Sequence, residues 1–233
     1  MAIDSVKVPP AFEPPFARAQ EYVQKYFSDR QDAPQQGTIT IGGERYILVR
    51  AASMSVHFLD FVKNMYPGLD DREAVEASSR VLFDIAHAIG NADARAFHKA
   101  TGMEEPVAKL STGPVHFAFT GWGFVDISPE SVATPDEHYY LLYDHPHSFE
   151  ADSWIAQRGK TDFCTCVMSA GYSSGWCQES FDIPLAAQEI LCRSRGDEAC
   201  RFIMAPPDQM RRYIDRYVET HPELFAPDVS DER

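Results

Sequence analysis

Residues 186–205 read AAQEILCRSRGDEACRFIMA. Two apolar, β-rich runs flank Arg195-Gly196-Asp197, a turn signal, so the stretch predicts a β-hairpin. Its arms carry Glu189, Cys192 and Cys200, three side chains of metal-ligand type. Just upstream, FCTCVMSAGYSSGWCQESF (163–181) places Cys166, Ala170, Ser173 and Cys177 on one helical face. Gly171 and Gly175 are four residues apart, which suits close helix packing rather than helix propensity. A buried helix is therefore predicted before the hairpin.

All five cysteines (Cys164, Cys166, Cys177, Cys192 and Cys200) fall in this region, and the first 163 residues contain none. An odd cluster in a chain expected to be cytosolic argues against a disulfide framework and for metal or redox chemistry. Cys166, Glu189, Cys192 and Cys200 supply three thiolates and a carboxylate, the donors of a closed tetrahedral zinc site. A closed site leaves no position for water or substrate, so its role would be structural. Thiolates select zinc or iron–sulfur over magnesium or calcium. Glu189 and Cys192, three apart, lie on opposite faces of a regular strand, so the strand must bend between them. Cysteine is also a common core residue, and spacing alone leaves both readings open.

Toward the N-terminus, VHFAFTGWGFVDIS (115–128) alternates in period 2 and predicts a strand bent at Gly121 and Gly123. HYYLLYDH (138–145) predicts a second strand, and SFEADSWIAQ a helix with Ser148 as N-cap. Residues 1–15, with four prolines, read as an extended arm, followed by a short amphipathic helix to Phe27 and a linker over 28–37. TITIGGERYILV predicts a hairpin around Gly42-Gly43. A helix then runs from Ser53 or Ser55 to Tyr66. Asp70 with Glu73 forms a capping box for a longer helix. Its core face is expected to be Val75, Ser78, Val81, Leu82, Ile85, Ala86 and Ile89, with Gly90 closing it and a short helix over 92–100. Pro206-Pro207-Asp208 opens a last helix with the stripe Met210, Tyr213, Ile214 and Tyr217, suited to pairing with a partner helix, and an acidic tail follows. The predicted fold class is α+β: helices packed on a mainly antiparallel sheet, with a zinc-stapled helix–hairpin and a terminal amphipathic helix. Four segments are expected: 1–36, 37–112, 113–206 and 207–233.

Composition narrows the function. The 233 residues carry 21 Lys+Arg against 35 Asp+Glu, a formal charge of −14, which disfavours autonomous nucleic-acid binding. At 44% apolar residues the chain is globular. No apolar run is long enough to span a membrane, and prolines and charges occupy the place of a signal peptide, so a cytoplasmic location is expected. Neither G-x-x-x-x-G-K-[ST] nor a G-x-G-x-x-G between strand and helix occurs. The run Gly171-Tyr172-Ser173-Ser174-Gly175 is out of register for a nucleophile elbow.

The run C-x-x-x-x-G-Y-x-x-G-W from Cys166, followed by E-x-x-C-R-x-x-G-x-x-x-C-R-F from Glu189 to Phe202, resembles the 4-vinyl reductase domain family. That family includes the aromatic-sensing part of XylR-type activators. The resemblance covers 113–205 specifically and 37–112 more loosely. It implies a dimeric α/β ligand-binding fold and zinc held by Cys166, Glu189, Cys192 and Cys200, with Cys164 and Cys177 as packing residues. It also implies that His116 helps hold a ligand hydroxyl, and that His145 stands where the sensors carry a tryptophan, which puts phenol itself in doubt. Trp176 matches a pocket-lining aromatic, and Phe117, Phe119, Trp122, Tyr143 and Tyr172 are expected around the same cavity. The function implied is a non-enzymatic sensor of a hydrophobic, aromatic small molecule acting on an output domain or partner protein. The alternative is a tetrapyrrole-binding factor or enzyme of the bacteriochlorophyll type.

Overall fold

The computed structural model describes residues 3–225. At its centre lies an open five-stranded sheet, ordered β1 (Val6–Lys7), β5 (Gly123–Ile127), β6 (Leu141–Ser148), β8 (Cys200–Ala205) and β7 (Ala186–Leu191). Only β1 with β5 is parallel; the other pairings in this sheet are antiparallel. A second sheet of β2 (Gln31–Ala33), β3 (Thr38–Ile41) and β4 (Glu44–Tyr46) contains the expected hairpin at Gly42-Gly43. Among the described residues the α-helices are α1 (Glu13–Ser28), α2 (Val56–Met65), α3 (Asp71–Thr101), α4 (Pro106–Phe119), α5 (Phe149–Arg158), α6 (Val167–Phe181) and α7 (Pro207–Thr220).

The central sheet separates two apolar compartments because its side chains alternate across it. Leu141, Tyr143, Phe202 and Met204 point inward to the main core with α4 and α6. Leu142, Ile190, Ile203 and Ala205 point outward and are covered by Met210 and Tyr217 of α7. On the inner side, α3 backs α6 and α1 backs α4. No helix among the described residues is long and apolar enough to cross a membrane.

Several local expectations change. Residues 106–119 form a helix, not the start of a strand, and β5 begins only at Gly123. Pro106 sits in the first turn, and the Glu105 carboxylate accepts from the Val107 and Ala108 amides, capping the N-terminus. α4 is buried nearly all round, which removes the polar face that would have given it a 3.6-residue period. The 1–15 arm is in part structured, as β1 and the first turn of α1, and the presumed linker contributes β2. Ser148 does occupy the N-cap position of α5, but its hydroxyl bonds Cys166 instead of the helix amides.

The Asp70/Glu73 capping box forms as expected. Gly90 does not end the helix, however; α3 runs unbroken to Thr101. A Cβ at Gly90 would lie 2.2 Å from the Tyr172 carbonyl oxygen, so this glycine admits α6 rather than terminating α3. Ser78, Leu82 and Ala86 are buried, while Val81, Ile85 and Ile89 of the expected core face are exposed. The α7 stripe is not left free for a partner helix: Met210 and Tyr217 are buried on the sheet, with Tyr213 and Ile214 packed beside them. The acidic tail lies outside the described residues.

Candidate functional site

α6 carries one wall of a cavity and begins at a thiol cluster. At its N-terminus, Cys166, Glu189, Cys192 and Cys200 are all buried, and their ligand atoms lie within 4.8 Å of one another. The bend required in the hairpin is present as a bulge between Glu189 and Leu191. It brings Glu189 and Cys192 to one side, facing Cys200 across the turn.

The donor set meets the requirements of a tetrahedral thiolate site. The Cys166 and Cys200 sulfurs are 3.6 Å apart, against roughly 3.8 Å for two sulfurs at about 2.3 Å from a tetrahedral zinc. Glu189 Oε2 accepts from the Cys166 amide at 2.8 Å, whereas Oε1 is buried with no protein partner. Amides and hydroxyls point at the sulfurs: Thr165 N and Ser194 Oγ at Cys192, Arg193 N at Cys200, and Ser148 Oγ at Cys166. Such donors suit thiolates. Burial pushes Cys166 and Glu189 toward their neutral forms, while hydrogen bonds from Cys164, Cys166 and Cys200 pull Cys192 toward the thiolate. A cation among these four would relieve the crowding of negative charge. Cys164, half-buried against Arg195, lies outside the set.

A residue not singled out in the sequence fixes this end of α6. Glu150, completely buried, accepts from the Met168 and Ser169 amides and from Ser169 Oγ, each at 2.8 Å. It therefore caps α6 from α5. Burial raises it to about 7 despite those three hydrogen bonds. In the sequence it resembles an ordinary acidic first-turn residue of α5.

Further along, α6, α4 and the inner face of the sheet line an apolar cavity of about 40 Å³. Four of the expected ligand residues line it: Phe117, Tyr143, Tyr172 and Trp176. The other four do not. Phe119 is 38% exposed and packs on Phe27. Trp122 lies behind Phe117 and Tyr172, at ring distances of 5.7 and 4.8 Å. His116 is not on the wall; it packs among Tyr26, Phe27 and Phe97 and, at 5.1 Å, behind the lining Trp176. Its Nδ1 donates to Tyr172 Oη at 2.9 Å, and that hydroxyl donates to Asp93 at 3.1 Å. His145 is fully buried between Phe117 and Phe202, and both its ring nitrogens lack partners. Burial lowers both histidines to about 3, so they are neutral at ordinary pH. Ser173, Cys177 and Pro114 line the cavity without having been expected there. Cys177 is thus more than the packing residue the resemblance implies, and its helical phase with Ser173 is the signal for that.

No protein-family model matches the chain. It is 25% identical over 200 residues to the phenol regulator MopR of Acinetobacter guillouiae, covering 85% of this chain and 33% of that protein. The chain thus spans about a third of the length of the curated relative it matches. It also superposes on the crystal structure of the phenol-responsive sensory domain of the transcription activator PoxR with phenol. The TM-score is 0.71 at 19% identity, over 91% of this chain and 99% of that one. The chain therefore shares the fold of that domain, helices on a mainly antiparallel sheet; its own Cys₃Glu cluster lies at the head of α6.

Proposed function

We propose that this chain is a ligand-sensing regulatory domain, without enzymatic activity, that binds a small aromatic molecule between α4, α6 and the sheet. The observation that carries this reading is the shared use of α6. One helix provides four cavity-lining residues (Tyr172, Ser173, Trp176 and Cys177) and starts at the thiol cluster. The likenesses to MopR, a phenol regulator, and to the phenol-responsive sensory domain of PoxR support the same reading. Zinc is the ion assigned to Cys166, Glu189, Cys192 and Cys200; bound there it would staple α6 to the β7–β8 hairpin, a structural task.

The cavity is small. At about 40 Å³ it is well below the roughly 150 Å³ at which an engineered apolar cavity takes up benzene. A single ring enters only if a wall moves, and a tetrapyrrole is far too large. We also infer a homodimer, supported by the exposed apolar side chains Phe61 and Met65 on α2 and Val81, Ile85 and Ile89 on α3. Output would pass to a fused domain or a partner protein, as the −14 charge favours over direct DNA contact.

The test is calorimetry and thermal melting of the zinc-loaded chain with phenol and toluene. Saturable binding that raises Tm is expected. A flat response to both would refute the sensing function.

A further inference from the structure

Most of the cavity wall is hydrocarbon or aromatic, and the polar atoms nearest to it are largely engaged. The Tyr172 hydroxyl is committed to His116 and Asp93, and the Trp176 indole N–H donates to the Lys109 carbonyl at 3.2 Å. Tyr143 is the exception. Its side chain is 4% exposed, it lines the cavity, and its hydroxyl has no hydrogen-bond partner. Ser173, also on the wall, is the polar side chain that partly offsets the effect of burial on Tyr143. The net effect of burial still raises the Tyr143 pKa, so the hydroxyl keeps its proton. Its ring is fixed by the β6–β8 register, which pairs Tyr143 with Phe202 and stacks the two rings at 5.2 Å and 8°. A buried hydroxyl held rigidly without a partner destabilises the fold unless something else completes it.

We propose that the Tyr143 hydroxyl, with Ser173 beside it, is the anchor that reads the polar substituent of the ligand. His116 does not serve, because its Nδ1 is spent on Tyr172 and it lies off the cavity wall. This inference rests on the sensing function proposed above and specifies the ligand class. No cationic side chain lines the cavity, so an aromatic carboxylate would be buried as an unpaired charge and is excluded. The class is a neutral, single-ring aromatic with one oxygen able to accept from Tyr143 and donate to Ser173. An unsubstituted or methyl-substituted ring fills the same space but leaves the hydroxyl unpartnered.

The experiment uses calorimetric titration of the full chain and of Tyr143→Phe with phenol, toluene and benzoate, alongside ligand-free melting curves. In the wild type, phenol is expected to bind more tightly than toluene, and benzoate not at all. Tyr143→Phe should weaken phenol about tenfold and leave toluene within twofold, since one hydrogen bond to a buried partner is removed. Ser173→Ala should weaken phenol in the same direction by less. Without ligand, Tyr143→Phe should melt at or above the wild-type temperature, because it deletes an unpartnered group; a clear drop would mean that the hydroxyl has a protein partner and would overturn the proposal. Equal losses for phenol and toluene, or undiminished phenol affinity, overturn the anchor alone. Absence of binding by both rings to the wild type overturns the sensing function and the anchor with it.

Discussion

Substituting Gly175 by alanine tests whether α3 and α6 interlock through their backbones. In an ordinary helix this change is favourable by about 1 kcal/mol, because alanine restricts the unfolded chain and suits the helix. Here the new Cβ would sit 2.1 Å from the His87 carbonyl oxygen and 2.8 Å from the Asn91 amide nitrogen. Both neighbours are main chain, so no rotamer change can make room. Restoring ordinary contact requires the helices to part by roughly 1 Å, and Gly171 four residues earlier, already tight against the Phe83 carbonyl, would lose its packing with them. Overpacking of this kind costs about 1–3 kcal/mol, and backbone neighbours place it at or above the top of that range. After the propensity gain, a net loss of about 2 kcal/mol is expected, or roughly 4–8 °C in Tm for a chain of this size. Urea and thermal unfolding followed by circular dichroism would measure it. Gly68→Ala is the control: nothing lies near its Cβ position, so its effect should stay within about 0.5 kcal/mol. A Gly175→Ala chain that melts at or above the wild type would show that the helices are not in backbone contact.

Cys200→Ala should reduce bound zinc from one per chain to none and lower stability by several kcal/mol, read by elemental analysis and melting; full metal occupancy in the variant would contradict the ligand assignment. Asp93, raised to about 6 mainly by burial and held back by the Tyr172 hydroxyl, binds its proton more tightly folded than unfolded. Its stabilising contribution is therefore complete below its ordinary value of 3.8 and is lost as pH rises through 6. The stability difference between wild type and Asp93→Asn should move against the wild type over that interval, and a difference independent of pH would refute the burial of Asp93. Arg201→Lys should cost about 1–2 kcal/mol, since Arg201 grips both Asp144 oxygens at 2.6 Å and Tyr217 Oη at 2.7 Å across a quarter-exposed pair. Faster hydrogen exchange confined to α7 would be its signature. Asp70→Ala should lose about 1 kcal/mol by removing half of the capping box.

The sequence was most readable where local chemistry and tertiary role coincide. The β7–β8 hairpin announces itself through Arg195-Gly196-Asp197, and the bulge at Glu189 follows from needing Glu189 and Cys192 on one side. Gly171 and Gly175 were legible as packing residues for the same reason. Gly90 was not, because a glycine at a helix end and a glycine under a crossing helix look identical without the partner Tyr172. α4 was misread because Val115, Phe117 and Phe119 alternate like a strand. The burial of Leu110 through Gly113 and of Val115 through Phe117 leaves no polar side to reveal a helical period. The short strands β1 and β2 owe their form to pairing with distant residues, which no local pattern records. For the site, Cys166, Glu189, Cys192 and Cys200 are brought together by the structure as the sequence expects, whereas four of the eight expected cavity residues line the cavity. Aromatic character does not say which direction a residue of α4 takes: His116 is buried behind Trp176 and against α1, and Phe119 is 38% exposed beside Phe27.

The glycine interlock has a consequence for how a molecule gets in. α6 is pinned by α3 along one side and fixed at its head by Glu150 and the Cys₃Glu cluster, so it is the stationary jaw of the cavity. The sheet is braced from outside by α7. What remains is α4, where Pro114 inside the helix leaves the Leu110 carbonyl without its usual amide partner, and where Leu110, Gly113 and Pro114 all face the cavity. α4 is thus the wall whose own hydrogen bonding is interrupted. α1 lies directly against it, on the face of the sheet away from α7, so any displacement of α4 would meet α1 before it met the terminal helix.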